Sequence, residues 1–222
     1  MSLDRIVALV PMRHHSQRVP GKNYRPIAGK PLFHHIVDTL LQVPEISQIV
    51  IDTDSPDIRE QVAAKYPSVD VLERPEHLRA DDIPMNEILM YDTSKYPADL
   101  YLQTHSTNPL LTADSLREAV KFMKSNYPAY DSLFSVSKVQ ARLYDQLGRA
   151  INHNPNILLQ TQDLPPVWQE NSCIYIFTRE TIEKRRTRIG DRAYMFPLDS
   201  IESWDIDNEL DFRIAELMLQ VR

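Results

Sequence analysis

Ile6-Val7-Ala8-Leu9-Val10-Pro11 runs directly into Met12-Arg13-His14-His15-Ser16-Gln17-Arg18-Val19-Pro20-Gly21-Lys22-Asn23. The first part is a short apolar run stopped by proline. It reads as a strand buried on both faces, as in a parallel sheet. The second part is a polar loop, Met12 to Asn23. Pro31 then opens a helical pattern through Leu41, with Ile36, Val37, Leu40 and Leu41 on one face. Ile46 to Thr53 is the next strand, and Ser55 begins a helix over about Asp57 to Lys65. A third strand covers Val69 to Leu72. Ile83 to Tyr91 reads as helix, Leu100 to Thr104 as strand and Leu116 to Met123 as helix. This alternation predicts an α/β fold: a mainly parallel sheet sandwiched by helices. Ligands in such sheets sit beyond the carboxyl ends of the strands. The loops Met12 to Asn23, Glu73 to Asp82 and His105 to Leu111 are therefore expected to line a site.

The second half has a different texture. Ser132 to Val139 reads as a strand, with a hairpin around Tyr144 and Gly148. Asn152 to Gln169 is polar and carries Pro155, Pro165 and Pro166, so it reads as an extended excursion. Ser172 to Thr178 returns as a strand. A last helix starts near Asn208, with Leu210, Ile214, Leu217, Met218 and Val221 as its expected apolar stripe. No linker divides the chain. The expectation is one domain, 1–222, with an arm-like insertion at about 140–170.

The 222 residues hold only four glycines against sixteen prolines. No window reads G-x-G-x-x-G or G-x-x-x-x-G-K-[ST], so glycine-finger and P-loop phosphate sites are excluded. A formal charge of −6 disfavours nucleic acid as the main partner. The single cysteine, Cys173, cannot form an intrachain disulfide. No apolar run approaches membrane-spanning length and no leader is visible, so no membrane partner and a cytoplasmic location are expected.

Charge is distributed unevenly. Ile6 through Val37 contains no acidic residue but carries Arg13, Arg18, Lys22, Arg25 and Lys30. The stretch overlaps the loop after the first strand, which points to an anion site built from cations and backbone N–H groups. A solvated basic face is the bland alternative.

Val10 to Asn23, followed by Gly29-Lys30-Pro31-Leu32, resembles the signature of the CMP-sialic acid synthetases (acylneuraminate cytidylyltransferases), relatives of the KDO cytidylyltransferases. Their pattern is A-R-x-G-S-[KQ]-x-[IL]-P-x-K-N, then G-K-P-L. The resemblance implies a nucleotide-diphospho-sugar transferase-like, Rossmann-like fold. It implies that Arg13 and Lys22 act on the phosphates of CTP, with Met12, Ser16 and Asn23 around the nucleotide. This chain departs at His14 and His15, where the family has small residues. These imidazoles either join the phosphate site or are plain loop histidines. His34 and His35 fall on the helix and read as structural.

Two further loops carry the likeness. Glu73 to Asp81 resembles R-P-x-x-L-A-x-D, which brings Arg74 and the backbone at Ala80 toward the nucleotide. Leu102 to Thr112 resembles L-Q-P-T-S-P-L-R-T. Counting back from Pro109 places His105 at the family's substrate-contacting glutamine; counting from Leu102 places Gln103 there.

Trp204-Asp205-Ile206-Asp207 precedes the last helix. Residues i and i+2 of an extended segment share a side, so Asp205 and Asp207 can face one hard cation. Asp207 also suits a helix N-cap, which leaves Asp205 without a task. The segment resembles the family's I-D-[IT]-D metal motif, and Asp205 and Asp207 are expected to hold Mg²⁺ (or Mn²⁺).

Gln162 to Phe177 is similar to R-Q-D-L-P-P-x-[YF]-R-E-N-G-[AS]-I-Y-I-F, a region the family uses as a dimerisation arm. A homodimer is implied. The family's sugar-recognising arginines are Thr161 and Gln169 here, and its glycine is Ser172. Gln169 remains a substrate-side residue without charge. Lys138, Arg142 and Arg179 are other cations for the sugar carboxylate. The expected reaction is transfer of a cytidylyl group from CTP to a sialic acid-like 2-keto sugar acid. The alternatives are a KDO-type or other sugar nucleotidyltransferase, a non-catalytic nucleotide-sugar binder, or a purely structural module.

Overall fold

Residues 3–221 are described by a computed structural model. Met1, Ser2 and Arg222, the extremes of the expected 1–222 domain, lie outside the described residues. Strand β1 (Ile6–Leu9) is buried throughout. The basic loop leads to a two-strand ribbon, β2 (Pro26–Ile27) and β3 (Lys30–Pro31). Ala28 and Gly29 make its turn with φ of 45° and 87°, the left-handed pair that a two-residue hairpin needs. Helix α1 (Leu32–Leu40) follows directly after Pro31.

The chain then runs through β4 (Gln48–Thr53), α2 (Pro56–Lys65) and β5 (Val69–Glu73). Ser55 caps α2 by accepting from the Ile58 N–H, and Pro56 fills a first-turn position that lacks an N–H partner anyway. Helix α3 (Met85–Lys95) carries the chain back, so that β6 (Leu100–Gln103) lies on the other side of β1. Helix α4 (Ala113–Asn126) is capped by Thr112. Strands β7 (Ser132–Val139) and β8 (Val167–Phe177) flank the insertion, and α5 (Arg179–Arg185), β9 (Ala193–Pro197) and α6 (Glu209–Gln220) complete the chain.

The main sheet has the order β5-β4-β1-β6-β8-β7-β9. Every neighbouring pair is parallel except the two made by β8. Successive strand residues alternate between two cores. Ile6, Ala8, Ile49 and Ile51 pack with Ile36, Ile58 and Val120 of α1, α2 and α4. Val7, Leu9, Val50, Tyr101 and Tyr175 pack with Leu89 of α3 and Ile182 of α5. A third cluster joins Val19, Ile27, Leu32, Ile206 and Phe212, and fastens the basic loop to α6. Strand order reverses between β1 and β6, and ligand sites of open α/β sheets lie at such a switch point.

Three sequence expectations change. β8 begins at Val167, so the end of the excursion is already strand. Helix α5 and strand β9 were not expected: α5 has seven residues, and β9 is a half-exposed edge strand ending in proline. The predicted stripe of α6 is rotated. Phe212 and Ala215 are the buried residues, while Leu210, Leu217 and Val221 are 65%, 64% and 87% exposed. The aromatic anchor Phe212 in the third cluster decides the face. The insertion itself is irregular, with a bridge between Tyr144 and Ala150 around Gly148 and a short turn at Thr161–Asp163. No helix among the described residues is long and apolar enough to cross a membrane.

Candidate active site

A cavity of about 450 Å³ lies at the switch point. The first loop contributes Met12, Arg13, Ser16, Lys22 and Asn23; the second contributes Arg74 and Ala80; the third contributes His105. A second recess, about 460 Å³, is lined by Gln169, Glu170, Ser172, Asp205 and Asp207. Lys22 forms the seam between them. Its Nζ donates to the Ile206 carbonyl at 2.6 Å, between the two acidic residues. Burial pulls the Lys22 pKa down, while Asp205 and Asp207 oppose that fall.

Each cation of the basic stretch has an oxygen partner. Arg13 pairs with Asp81 at 2.5 Å, and Arg18 with Asp207 at 2.8 Å. Arg25 pairs with Glu209 and Lys30 with Asp38. The expected anion site therefore narrows to Arg13, Arg18 and Lys22, because Arg25 and Lys30 secure α6 and α1 instead. Gln17 donates to the other oxygen of Asp81 at 2.6 Å, so the first and second loops are tied across the cavity.

Asn23 is buried beneath the loop. Its amide donates to the Arg13 carbonyl at 2.8 Å and accepts from Ser106 Oγ at 2.7 Å, which holds the first and third loops together. His14 is also a fastener. Its N–H donates to Asp54 Oδ1 at 2.7 Å, Nδ1 lies 2.8 Å from Ser55 Oγ, and the ring stacks on Tyr24. His15 packs edge-on against His14. Of the helix histidines, His35 contacts the Ile27 carbonyl at 3.2 Å and burial lowers the pKa of His34 to about 4.

Arg74 lines the cavity, yet its guanidinium is committed below it. Nε donates to Asp52 Oδ1 at 2.5 Å, in a pair that is 4% and 1% exposed. Asp92 lies beside Asp52. Burial, then the Asp52 charge, raises the Asp92 pKa well above its ordinary value. Sequence reading missed Asp52 and Asp92; an aspartate near the end of an apolar strand was the signal for Asp52, while Asp92 lies within α3.

Of Gln103 and His105, His105 lines the cavity and Gln103 is buried beside it. The Gln103 amide nitrogen donates to His105 Nε2 at 2.9 Å and to the Thr104 carbonyl at 3.1 Å. Burial, then Arg188 and Lys22, lowers the His105 pKa to about 3. The ring is neutral, and its proton resides on Nδ1. Arg188 Nη1 donates to Gln103 Oε1 at 2.5 Å. This arginine was not foreseen. Of the cations that were weighed, Lys138 is exposed on β7, Arg142 binds the Leu159 carbonyl and Arg179 pairs with Glu183.

The acidic segment is held on both sides. Ile206 N–H donates to the Thr107 carbonyl at 3.0 Å, and Ile206 is buried in the third cluster. Asn208, not Asp207, caps α6, in a capping box with Asp211. That leaves the Asp207 carboxylate on Arg18. The Asp205 pKa is raised, first by desolvation, with Asp207 adding to it. Two carboxylates without His or Cys are hard oxygen donors. They match what Mg²⁺ takes from protein when phosphates and water supply the rest. Among the described residues no group of three or more His, Cys, Asp or Glu could hold a metal ion alone.

Known proteins resemble this chain over nearly its whole length. Residues 7–218 match the family model described as cytidylyltransferase. The chain is 30% identical to the CMP-N,N'-diacetyllegionaminic acid synthase of Legionella pneumophila, over 98% of this chain and 97% of that one. It is 27% identical to an N-acylneuraminate cytidylyltransferase of Streptococcus agalactiae, over 93% of this chain and 51% of that protein, so it spans about half of that relative. The fold is shared with CMP:2-keto-3-deoxy-manno-octonic acid synthetase complexed with CTP. The TM-score is 0.74 at 18% identity, covering 98% of this chain and 100% of that one.

Proposed function

The chain belongs to the cytidylyltransferase family, and on that premise we propose that it transfers a cytidylyl group from CTP to a 2-keto sugar acid of the sialic acid type. The observation that carries this reading is the seam at Lys22. It places the cation-rich cavity against a second recess lined by two carboxylates and Gln169. The named relatives act on acids of this kind.

The first cavity takes the nucleotide. Arg13, Arg18 and Lys22 meet its phosphates, with Met12, Ser16, Arg74 and Ala80 forming the wall. The acceptor enters from the second recess. Its anomeric hydroxyl attacks the α-phosphorus in line, the α–β bridging P–O bond breaks, and pyrophosphate leaves. The hydroxyl proton passes to solvent. Charge grows on the leaving phosphates, and Lys22 and Arg13 are placed to meet it. Holding both reactants in adjoining recesses supplies much of the acceleration, and no covalent enzyme intermediate is required. Mg²⁺ (or Mn²⁺) held by Asp205 and Asp207 would supply Lewis-acid polarisation of the phosphate.

The insertion presents Leu147, Ile151 and Leu158 at 70%, 59% and 90% exposure. Apolar residues displayed in that way support a homodimer formed through this arm. The chemistry suits a cytoplasmic enzyme that draws on a nucleotide pool.

The test is pyrophosphate release from CTP with Mg²⁺ across N-acetylneuraminate, legionaminate and KDO. Release with a nine-carbon acid is expected, and it falls sharply in Asp205→Asn. Absence of release with every acceptor, together with unchanged CTP binding in Asp205→Asn, overturns the enzyme reading.

A further inference from the structure

Arg188 differs from Arg13, Arg18, Arg74, Arg179 and Arg185, which each have a carboxylate partner. Its chain neighbours Arg186 and Arg192 contact Met90 Sδ and the Ala129 and Pro128 carbonyls instead. The contacts of Arg188 are a neutral amide oxygen, Gln103 Oε1 at 2.5 Å, and the face of Tyr175, whose ring centroid is 3.5 Å from the guanidinium carbon. Among the described residues it makes no ion pair. Burial pulls its pKa down from the ordinary guanidine value, against the Tyr175 hydroxyl and the Glu170 charge, which raise it. A desolvated charge without a directly bonded counter-ion is costly, so such a group is normally completed by a partner.

Its position shows where that partner comes from. Gln103 and Tyr175 are directly opposed across the antiparallel pair β6 and β8, so both side chains stand on one face. Gln103 passes the network on to His105 in the nucleotide cavity. The Tyr175 hydroxyl passes it on to Glu170 and, at 3.2 Å, to Ser172, both in the second recess. Arg188 is thus linked to both recesses, through Gln103 on one side and Tyr175 on the other.

The arginine is also held in place. α5 ends on Arg186 in the left-handed region, at φ 55°, which turns the chain back toward the sheet. Beyond it, the Gly190 N–H donates to Ser132 Oγ at 2.8 Å and the Asp191 N–H donates to Asp131 Oδ2 at 3.0 Å. A Cβ at Gly190 would sit 2.2 Å from Asp131 Oδ1, so glycine is needed there. A fork of donors fixed in this way is preorganised for a planar bidentate acceptor.

We propose that Arg188 is the specificity-determining cation that receives the carboxylate of the acceptor sugar acid, with Gln103 and Tyr175 setting the plane of its guanidinium. The inference rests on the sugar-acid reading above. Thr161 and Gln169 carry no charge, and Lys138, Arg142 and Arg179 lie on other surfaces or have partners of their own. A phosphate is the less suitable guest, because the cluster of cations that suits one lies along the first loop.

The test compares wild type, Arg188→Lys and Arg188→Gln with an acceptor acid and its methyl ester. Equilibrium binding is followed by ligand-observed NMR, and turnover by pyrophosphate release. Charge-assisted hydrogen bonds predict that Arg188→Gln weakens acid binding by about 10- to 150-fold. The ester is bound equally by all three proteins, CTP affinity changes by less than about threefold, and Arg188→Lys recovers part of the loss. Equal losses for acid and ester, or a parallel loss of CTP affinity, overturn the proposal and make Arg188 a packing residue. Unchanged acid binding in Arg188→Gln overturns it as well. Acid binding that depends on Arg188 without wild-type turnover refutes the enzyme reading and leaves this inference standing.

Discussion

Lys22 Nζ donates to the backbone carbonyl of Ile206, joining two segments 184 residues apart in the chain. The contact reaches a main-chain oxygen, so it fixes where the Asp205 and Asp207 side chains begin without consuming either carboxylate. One lysine thereby ties the basic first loop to the acidic segment.

Lys22→Met keeps the length of the side chain and removes its charge and donors. The expected outcome is a fall of about 10²–10³-fold in kcat for pyrophosphate release, the scale of losing one donor aimed at developing charge. The buried Ile206 anchor keeps the fold. Thermal melting beside steady-state kinetics separates the two effects. Full kcat in this variant would remove Lys22 from the chemistry.

Arg74→Met strands Asp52 next to Asp92. Breaking a buried pair by removing one partner costs about 3–5 kcal/mol. The expected result is a large drop in the urea midpoint. CTP affinity of the protein that remains folded stays near wild type, because the guanidinium points at Asp52 beneath the cavity. A stable variant that has lost CTP binding would return Arg74 to the nucleotide.

Asn208→Ala removes the capping box of α6, at a cost of about 0.5–2 kcal/mol. Asn208→Asp keeps an acceptor and is expected to stay within a few tenths of wild type. Asp207→Ala, by contrast, leaves helix stability unaltered and abolishes the Arg18 pair. Chemical denaturation of the three variants ranks them.

His105 makes stability depend on acidity. Its folded pKa is about 3, below the ordinary imidazole value of 6.5. Between those values the unfolded chain binds the proton that the folded protein refuses. Stability is therefore whole above about pH 6.5 and declines as pH falls toward 3. His105→Gln is expected to reduce the acid slope of a melting-temperature profile, the buried His34 supplying part of what remains. An unchanged acid slope would mean that His105 is charged in the folded protein.

Much of the frame was legible from local pattern. Ile6 to Val10 is apolar because β1 is covered on both faces, and Ser132 to Val139 was read at its observed bounds. The two ends of the site were legible because Arg13 to Asn23 and Asp205 to Asp207 are short, dense segments. What was hidden depends on register across the sheet. Gln103 meets Tyr175 only because β8 runs antiparallel to β6, and nothing near Arg188 in sequence announces that it lies over them. The face of α6 was misread because one aromatic, Phe212, outweighs a longer row of aliphatics once Val19 and Ile27 come to meet it. Asp207 was freed from capping by its neighbour Asn208, a choice between adjacent residues that composition does not make.

The ion pairs of the first loop change what its basic character means. Arg13 and Arg18 arrive with tethered carboxylates, Asp81 and Asp207. An incoming anion therefore undergoes exchange and does not add to bare charge. A chloride that takes one arginine strands one acid and gains little. A triphosphate that engaged both arginines would displace both acids in a single event. If the loop takes phosphates as proposed, its pairs make it selective by valence, since simple salts at cellular strength would compete poorly with a multiply charged guest.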